Sequence, residues 1–236
     1  MRLTPGLAAM PMHPTATTTV VGGGVVDGAA SGVGEIVYAI AKRGLDIVVA
    51  LVALMMVAPV LAVAAALIQG TSPGPVLFRQ QRAGRGRVPF GMLKLRTMYV
   101  GADDDKELFR PFNDLRGGPC FKMRRDPRVT AVGRFLRRTS IDELPQLWNV
   151  LRGEMTLVGP RPLPVDEVSD RTATQRVRHS VKPGLTCLWQ VSGRTEIPYD
   201  EWLALDLWYV RHRSFLLDLR ILIKTVPAVL SGRGAY

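Results

Sequence analysis

Residues 47–68 read IVVALVALMMVAPVLAVAAALI, and no charged side chain occurs from Ile47 to Phe78. Twenty-two helical residues rise about 33 Å, enough for the ~30 Å hydrocarbon core of a bilayer. A run that is apolar all round cannot be a surface helix, which leaves a membrane segment or a buried core helix. Pro59 interrupts it. Proline has no N–H for the carbonyl of Met55 and its ring clashes there, so a kink or break is expected. The arms on either side, 12 and nine residues long, each reach only about halfway across the bilayer. Both flanks are basic, with Lys42 and Arg43 before and Arg79, Arg82, Arg85 and Arg87 after. Positive residues favour the cytoplasmic side, so both ends are drawn to the same face. A re-entrant hairpin satisfies both features. A kinked spanning helix is the alternative, since bilayers tolerate proline in helices. Asp46 lies three residues after Arg43 on one helical face, where the two could pair.

The whole chain has 236 residues, with 31 Lys and Arg against 20 Asp and Glu, for a formal net charge of +11. Hydrophobic residues make up 47% and the mean hydropathy is +0.12, which excludes a disordered polyelectrolyte. A chain both basic and apolar suits an anionic membrane surface or an anionic ligand, with nucleic acid as the rival. Cys120 and Cys187 are too few for a disulfide scaffold, and three histidines leave little for a zinc site, so a reducing compartment is expected. Pro5, Pro11 and Pro14 interrupt any signal-like apolar region, so residues 1–34 read as a flexible tail with a Gly/Ala-rich linker. Residues 35–70 are expected to form the membrane helix and 71–236 the domain that follows it.

Within that domain, Ser72-Pro73-Gly74-Pro75 stops the helix. Val76–Phe78 and Val88–Leu95 read as strands around Gly84-Arg85-Gly86. Glu143–Leu151 reads as a short helix with Leu144, Leu147, Trp148 and Leu151 on its apolar face, closed by Gly153. Tyr199–His212 is a second helix. Phe215–Leu230 is apolar but carries Asp218, Arg220 and Lys224, too costly for a span, so it is an interfacial amphipathic helix or a core helix. The expected class is α+β, mainly helical: a membrane helix, re-entrant or kinked and spanning, plus a small domain with a β-hairpin and amphipathic helices.

The adjacent carboxylates Asp142 and Glu143 are the first chemical candidate. They repel, so a site that uses both must bring a cation. Pro145 is tolerated in a first helical turn if Asp142 is the N-cap, and a helix N-terminus favours anions such as phosphate. The competing explanation is a structural capping box, Ser140-x-x-Glu143. Arg134, Arg137 and Arg138 precede the pair, and Arg161 follows between Pro160 and Pro162. Carboxylates beside arginines suggest a metal–phosphate centre, because the guanidinium fork binds two phosphate oxygens. A basic face against anionic lipid would use some of the same residues. Asp103-Asp104-Asp105 is a second acidic candidate, set in a charged loop that reads more simply as a solvated run.

These motifs come in an order that resembles a known family. The order is Lys42-Arg43-x-x-Asp46, the apolar run with its central proline, Gly74-Pro75-Val76-x-Phe78-x-Gln80 and Lys94-x-Arg96-Thr97-Met98. Asp126-Pro127-Arg128, Ser140-Ile141-Asp142-Glu143-Leu144-Pro145-Gln146 and Val158-Gly159-Pro160-Arg161-Pro162 follow. Pro183-Gly184-Leu185-Thr186 and Trp189-Gln190-Val191-x-Gly193-Arg194 complete the set. From about Lys42 to Tyr236 the chain resembles the bacterial sugar transferases, the monotopic phosphoglycosyl transferases. It is most similar to short members that start exopolysaccharide synthesis. Larger members carry four further transmembrane helices and another domain, where this sequence has a short tail.

The resemblance implies a re-entrant helix broken at the Ala58-Pro59 step, and a catalytic domain on the cytoplasmic face of the bacterial inner membrane. It implies transfer of a sugar-1-phosphate from a UDP-sugar, galactose or glucose, to undecaprenyl phosphate, with release of UMP. By motif, Asp142 takes the nucleophile position and Glu143 its partner, both near a Mg²⁺ ion, with Mn²⁺ as a substitute. Lys94, Arg137, Arg161 and Arg194 fall where the family places phosphate-binding residues. Asp206 and Asp218 match further acidic positions. Cys187 departs from the family's glycine, and its larger side chain is expected to crowd the neighbouring loop. A homodimer is left open, and nucleic acid is not expected as a partner. The alternatives are a metal-dependent glycosyltransferase using Asp103 to Asp105, which would release UDP, and a membrane-tethered nucleic-acid binder. The basic residues are not interleaved with stacking aromatics, which weakens the latter.

Overall fold

Gly32–Thr71 form one helix, α1, with Pro59 inside it. The structure is a computed structural model and describes residues 32–113, 121, 123, 125–168, 173–193 and 198–232. By its internal contacts the chain divides into Met1–Glu35 and Ile36–Tyr236, and the elements that build the site lie in the second. The expected separation into two helices at Pro59 is not seen in α1. Proline's φ is itself helical, so what is lost there is the bond to the Met55 carbonyl rather than the helical path. Among the described residues α1 is the helix long and apolar enough to cross a membrane.

What distinguishes the two halves of α1 is how each meets the rest of the fold. In the first half, Asp46 is buried and accepts hydrogen bonds from Thr156 Oγ1 at 2.7 Å and the Leu157 amide at 2.9 Å. The expected Arg43–Asp46 pair therefore does not form. Arg43 instead donates to the Val150 and Leu151 carbonyls, at 2.7 and 2.8 Å. Those carbonyls end a short helix, where unsatisfied acceptors and the negative end of the dipole attract a guanidinium. Lys42 donates to the Val158 carbonyl and to Asp218. In the second half, Ala64 and Ile68 are buried in a cluster with Leu95 and Leu136, bordered by Leu61, Val76, Val132 and Ile141.

Strands β1 (Leu77–Ala83) and β2 (Pro89–Leu95) pair antiparallel around a 3₁₀ turn at Arg85–Arg87; the hairpin is the expected one, but its first strand runs on past Phe78 to Ala83. The short helix α2 (Lys106–Phe109) follows, preceded by the exposed Asp103, Asp104 and Asp105. Helix α3 (Ala131–Arg138) is capped by Thr130, whose hydroxyl accepts from the Gly133 amide at 2.9 Å. Gly133 packs directly on the Thr97 carbonyl, and a Cβ there would collide with it. That close approach brings α3 onto the end of the hairpin.

After α3 the chain turns through Ser140, at φ 58°, into a 3₁₀ turn over Ile141–Glu143 and then α4 (Gln146–Arg152), closed by Gly153 at φ 77°. Strand β3 (Thr156–Val158) runs parallel to β4 (Gly184–Thr186), and α5 (Ala173–Arg178) lies between them in sequence. Helices α6 (Tyr199–His212) and α7 (Phe215–Leu230) occupy their expected spans. On α7, Asp218 and Ile221 face inward, while Leu216, Leu219, Ile223, Val226 and Leu230 form an exposed apolar stripe. That second, uncovered apolar face is the one expected of an interfacial helix. Together these elements give a mainly helical domain with small sheets and one long apolar helix.

Asp46→Ala removes the acceptor of two buried donors. It should cost about 3 kcal/mol, at ~1–3 kcal/mol for each group left unpaired. Thermal unfolding in detergent, with the exposed Asp104→Ala as control, should show a lower Tm only for the Asp46 variant.

Candidate active site

Three segments distant in sequence converge on the carboxylate pair. Lys94 comes from β2, Asp142 and Glu143 from the 3₁₀ turn, and Arg161 from the turn after β3. Glu143 is gripped from two sides. Arg161 donates to both of its oxygens, with Nη1 to Oε2 at 3.2 Å and Nη2 to Oε1, while Lys94 Nζ lies 3.3 Å from Oε1. The two-pronged geometry suits a carboxylate and holds it in one orientation. Asp142 is 6% exposed and accepts no hydrogen bond from the described residues. Arg137 reaches the same pocket from α3, held by its Nε donating to Thr97 Oγ1 at 2.9 Å.

This arrangement changes the expected local structure. The N-cap position of α4 is Pro145, not Asp142, because the chain first makes a separate 3₁₀ turn. The capping box does not form either. Ser140 makes no side-chain cap bond, and the Glu143 side chain is turned away to Arg161 and Lys94. Ser140 holds a left-handed conformation rare outside glycine and asparagine, and strain of this kind gathers at functional sites.

The neighbours push the two carboxyls in opposite directions. Burial would raise Glu143, but Arg161 and Lys94 outweigh it and hold that group well below the usual carboxylate range. Asp142 is pushed up to about 6 by burial and by the charge of Glu143, against the pull of Lys94, Arg137 and Arg161. Burial also draws the Lys94 ammonium down despite Glu143 beside it. The pair thus comprises one permanently ionised, immobilised carboxylate and one less tethered carboxylate that titrates near neutrality. Such a split is how adjacent acids take different tasks.

The other expected residues lie outside this centre. Asp206 accepts from Arg178 Nε at 2.8 Å, and Arg178 Nη2 donates to the Arg161 carbonyl, so Asp206 touches the site only through a relay. Burial pushes the Asp206 carboxyl up to about 6 against the pull of Arg178. Asp218 accepts from Tyr38, Lys42 and the Tyr209 hydroxyl, which lies 2.7 Å from its Oδ1 and 3.0 Å from the Val158 carbonyl, and Lys42 also donates to that carbonyl. It ties α1 to α7 rather than facing the carboxylate pair. Arg194 lies outside the described residues. Cys187 is fully buried, its thiol donating to Gln190, so the core takes its side chain in. Asp103, Asp104 and Asp105 are exposed, and among the described residues no three acidic, histidine or cysteine side chains gather as metal ligands.

Arg178 belongs to no motif in the sequence, and its place at the site follows only from its contacts with Asp206 and the Arg161 carbonyl. Lys42, Arg43 and Arg82 were read as topology signals. In the fold each is also a tether, Arg82 donating to the Pro162 carbonyl at 2.9 Å beside Arg161.

A family model described as "Bacterial sugar transferase" matches residues 37–232. The chain belongs to the bacterial sugar transferase family. It is 42% identical over 203 residues to the exopolysaccharide production protein ExoY of Rhizobium meliloti, covering 83% of this chain and 88% of that one. It is 44% identical over 205 residues to the UDP-glucose:undecaprenyl-phosphate glucose-1-phosphate transferase of Caulobacter vibrioides, covering 83% of this chain and 72% of that one. It is 41% identical over 198 residues to the undecaprenyl-phosphate galactose phosphotransferase of Salmonella typhimurium, covering 83% of this chain and 41% of that one. The chain spans less than half the length of some curated relatives, 44% in the case of the galactosyl transferase CpsE of Streptococcus agalactiae.

A raised carboxyl stabilises the fold less as pH rises through its titration. Asp142 binds its proton more tightly folded than unfolded, so ionising it in place costs stability above about pH 6 and nothing below the ordinary range of aspartate. Asp142→Asn should therefore stabilise the protein at pH 7.5 by on the order of 2–3 kcal/mol, with the gain vanishing near pH 3.5. Paired unfolding curves across that range check both the sign and the window.

Proposed function

We propose that this protein transfers a sugar-1-phosphate from a UDP-sugar to undecaprenyl phosphate through a covalent aspartyl intermediate. The observation that carries the proposal is the unequal carboxylate pair, with Glu143 locked by Arg161 and Lys94 and Asp142 left without a described hydrogen-bond donor. The names of the relatives supply the substrate class, and galactose and glucose are the sugars they point to.

A carboxylate oxygen of Asp142 attacks the sugar-linked phosphorus. The new O–P bond forms as the bond from that phosphorus to the bridging oxygen breaks, and UMP departs with the electron pair. An oxygen of the lipid phosphate then attacks the same phosphorus and frees Asp142. The products are UMP and a lipid-linked sugar diphosphate. Arg161, Lys94 and Arg137 stand where negative charge develops on the transferring group, and need no reorganisation to meet it. Glu143 orients Arg161 and Lys94, and burial together with the fixed charge of Glu143 holds the Asp142 pKa up, which keeps that carboxylate reactive.

The donor set fits a Mg²⁺ shared with substrate rather than caged by protein. Mg²⁺ commonly takes one or two carboxylates plus substrate phosphates; Asp142, which accepts no hydrogen bond from the described residues, would be the first, and Glu143 would add only the lone pair that Arg161 leaves on Oε2. When bound, such an ion would neutralise phosphate charge; Mn²⁺ offers a similar geometry.

We place the domain on the cytoplasmic face of the inner membrane, with α1 re-entering the bilayer around Pro59. Asp46 and Ile68, on opposite sides of Pro59, are both buried against one domain. A helix that crossed the bilayer would put those anchors on opposite sides, where a single domain cannot hold both. The uncovered stripe of α7 would rest in the same interface.

With UDP-sugar and Mg²⁺ but no lipid acceptor, the protein should release about one UMP per chain and carry a sugar phosphate on the peptide containing Asp142, as a ping-pong scheme requires. UMP that appears only with both substrates, with no adduct, means direct transfer. Release of UDP would move the protein to the glycosyltransferases. The rate of adduct formation should fall as pH drops below about 6, because protonated Asp142 cannot attack. For topology, Ala41→Cys and Val88→Cys, each in a chain freed of Cys120 and Cys187, should both resist labelling from the periplasm. Labelling of one but not the other would mean that α1 spans.

A further inference from the structure

Beside the carboxylate pair runs a groove with no role in the chemistry above. One wall is the second half of α1, Pro59, Val60, Val63, Ala64 and Leu67; the other is Phe135, Leu136 and Ile141. Its volume is about 290 Å³, and every lining side chain is apolar. The α1 residues recur at helical spacing, so they form one continuous stripe about 12 Å long, from Leu67 toward Pro59. The groove is open along its length: Val63 is 62% exposed and Phe135 56%. Ile141, which packs against the cluster of Ala64 and Ile68, is the residue directly before Asp142. The stripe continues along α1 into the segment that the apolar sequence assigns to the bilayer.

Resting on the transfer reaction above, we infer that this groove receives the first isoprene units of the acceptor lipid. The two requirements of that substrate are met side by side. Its phosphate must reach Asp142, where Arg137 lies among the cations; its chain must leave without passing through water or through those charges. The groove offers an apolar path from Ile141 along α1 toward Pro59. Its volume, near the lower end of small-molecule pockets, holds a short stretch of branched hydrocarbon and not the whole lipid. The remainder of the chain lies in the bilayer. On this reading the second half of α1 is part of the acceptor site as well as a membrane anchor, and Pro59 stands at the far end of the stripe.

The experiment uses the full chain in nanodiscs, with undecaprenyl phosphate and a polyprenyl phosphate carrying a diazirine on its first isoprene unit. Val60→Trp and Val63→Trp fill the groove from exposed positions. Each should lower kcat/KM for the lipid acceptor about tenfold or more, since burying even two CH₂ groups is worth about that factor. Both should still release about one UMP per chain and form the adduct without acceptor. Ala62→Trp, exposed on the face of α1 turned away from the stripe, should match wild type. The photoprobe should mark peptides from 59–67 or 135–141, and excess undecaprenyl phosphate should suppress the marking. Unchanged acceptor kinetics in both variants, or crosslinks elsewhere, overturn the inference. Crosslinks in the groove that a phospholipid probe reproduces and undecaprenyl phosphate does not displace also overturn it, by making bulk lipid the occupant. The crosslink does not depend on turnover. If the wild type formed no adduct but the probe still marked the groove, the transfer chemistry would be wrong and the lipid site right.

Discussion

The contact on which the site depends is the grip of Arg161 and Lys94 on Glu143. Two carboxylates in sequence, one buried and one half-buried, cannot both be ionised at neutral pH without compensation. The fold solves this unequally. It gives Glu143 two cations and gives Asp142 none by direct hydrogen bond from the described residues, only the field of Lys94, Arg137 and Arg161. Glu143 becomes a fixed charge, and its neighbour becomes basic enough to be a nucleophile while remaining ionised near neutrality. A symmetric arrangement would have left two weak carboxylates and neither role.

Much of the remaining structure holds that grip in place. Arg161 follows β3, whose partner β4 approaches so closely that Gly159 and Gly184 leave no room for a Cβ on either. Its carbonyl is held by Arg178, itself paired with the buried Asp206. Three residues upstream, the Val158 carbonyl accepts from Lys42 and Tyr209, which share Asp218. Lys94 neighbours Leu95, and Asp142 neighbours Ile141; both apolar neighbours pack with the second half of α1. The two halves of the apolar helix thus brace different sides of one site, the first through β3 and the second beneath β2 and the 3₁₀ turn. A membrane element and a catalytic site built this way move together, which suits a reaction between a water-soluble donor and a lipid.

The sequence was most legible where local rules act alone. The hairpin around Gly84-Arg85-Gly86, the closure of α4 at Gly153 and the spans of α6 and α7 all follow from periodicity and turn chemistry. It was least legible where a side chain chooses between local and distant partners. Arg43 and Asp46 sit at pairing distance on a helix, yet each goes to backbone groups more than a hundred residues away, because buried donors and a helix C-terminus make stronger claims than an i,i+3 neighbour. The capping box failed for the same reason, since Glu143 had a bidentate arginine available. Asp142 and Glu143 were visible as a pair, but the division between them was not, because it is set by Lys94 and Arg161 arriving from β2 and β3. Arg178 was invisible, since its partners, the Arg161 carbonyl and Asp206, are 17 and 28 residues away and no local pattern marks them.

The central claim is that the charge of Glu143 raises the Asp142 carboxyl. It is tested most directly by infrared titration of the protein grown on isotope-labelled aspartate, comparing wild type with Glu143→Gln, and with Asp142→Asn to identify the band. In the wild type the Asp142 band should titrate at about 6. In Glu143→Gln it should move clearly downward, because the negative neighbour is gone while Lys94 and Arg161 stay charged and lose their partner. A band that titrates at the same pH in both proteins would contradict the account and leave burial alone as the cause of the shift.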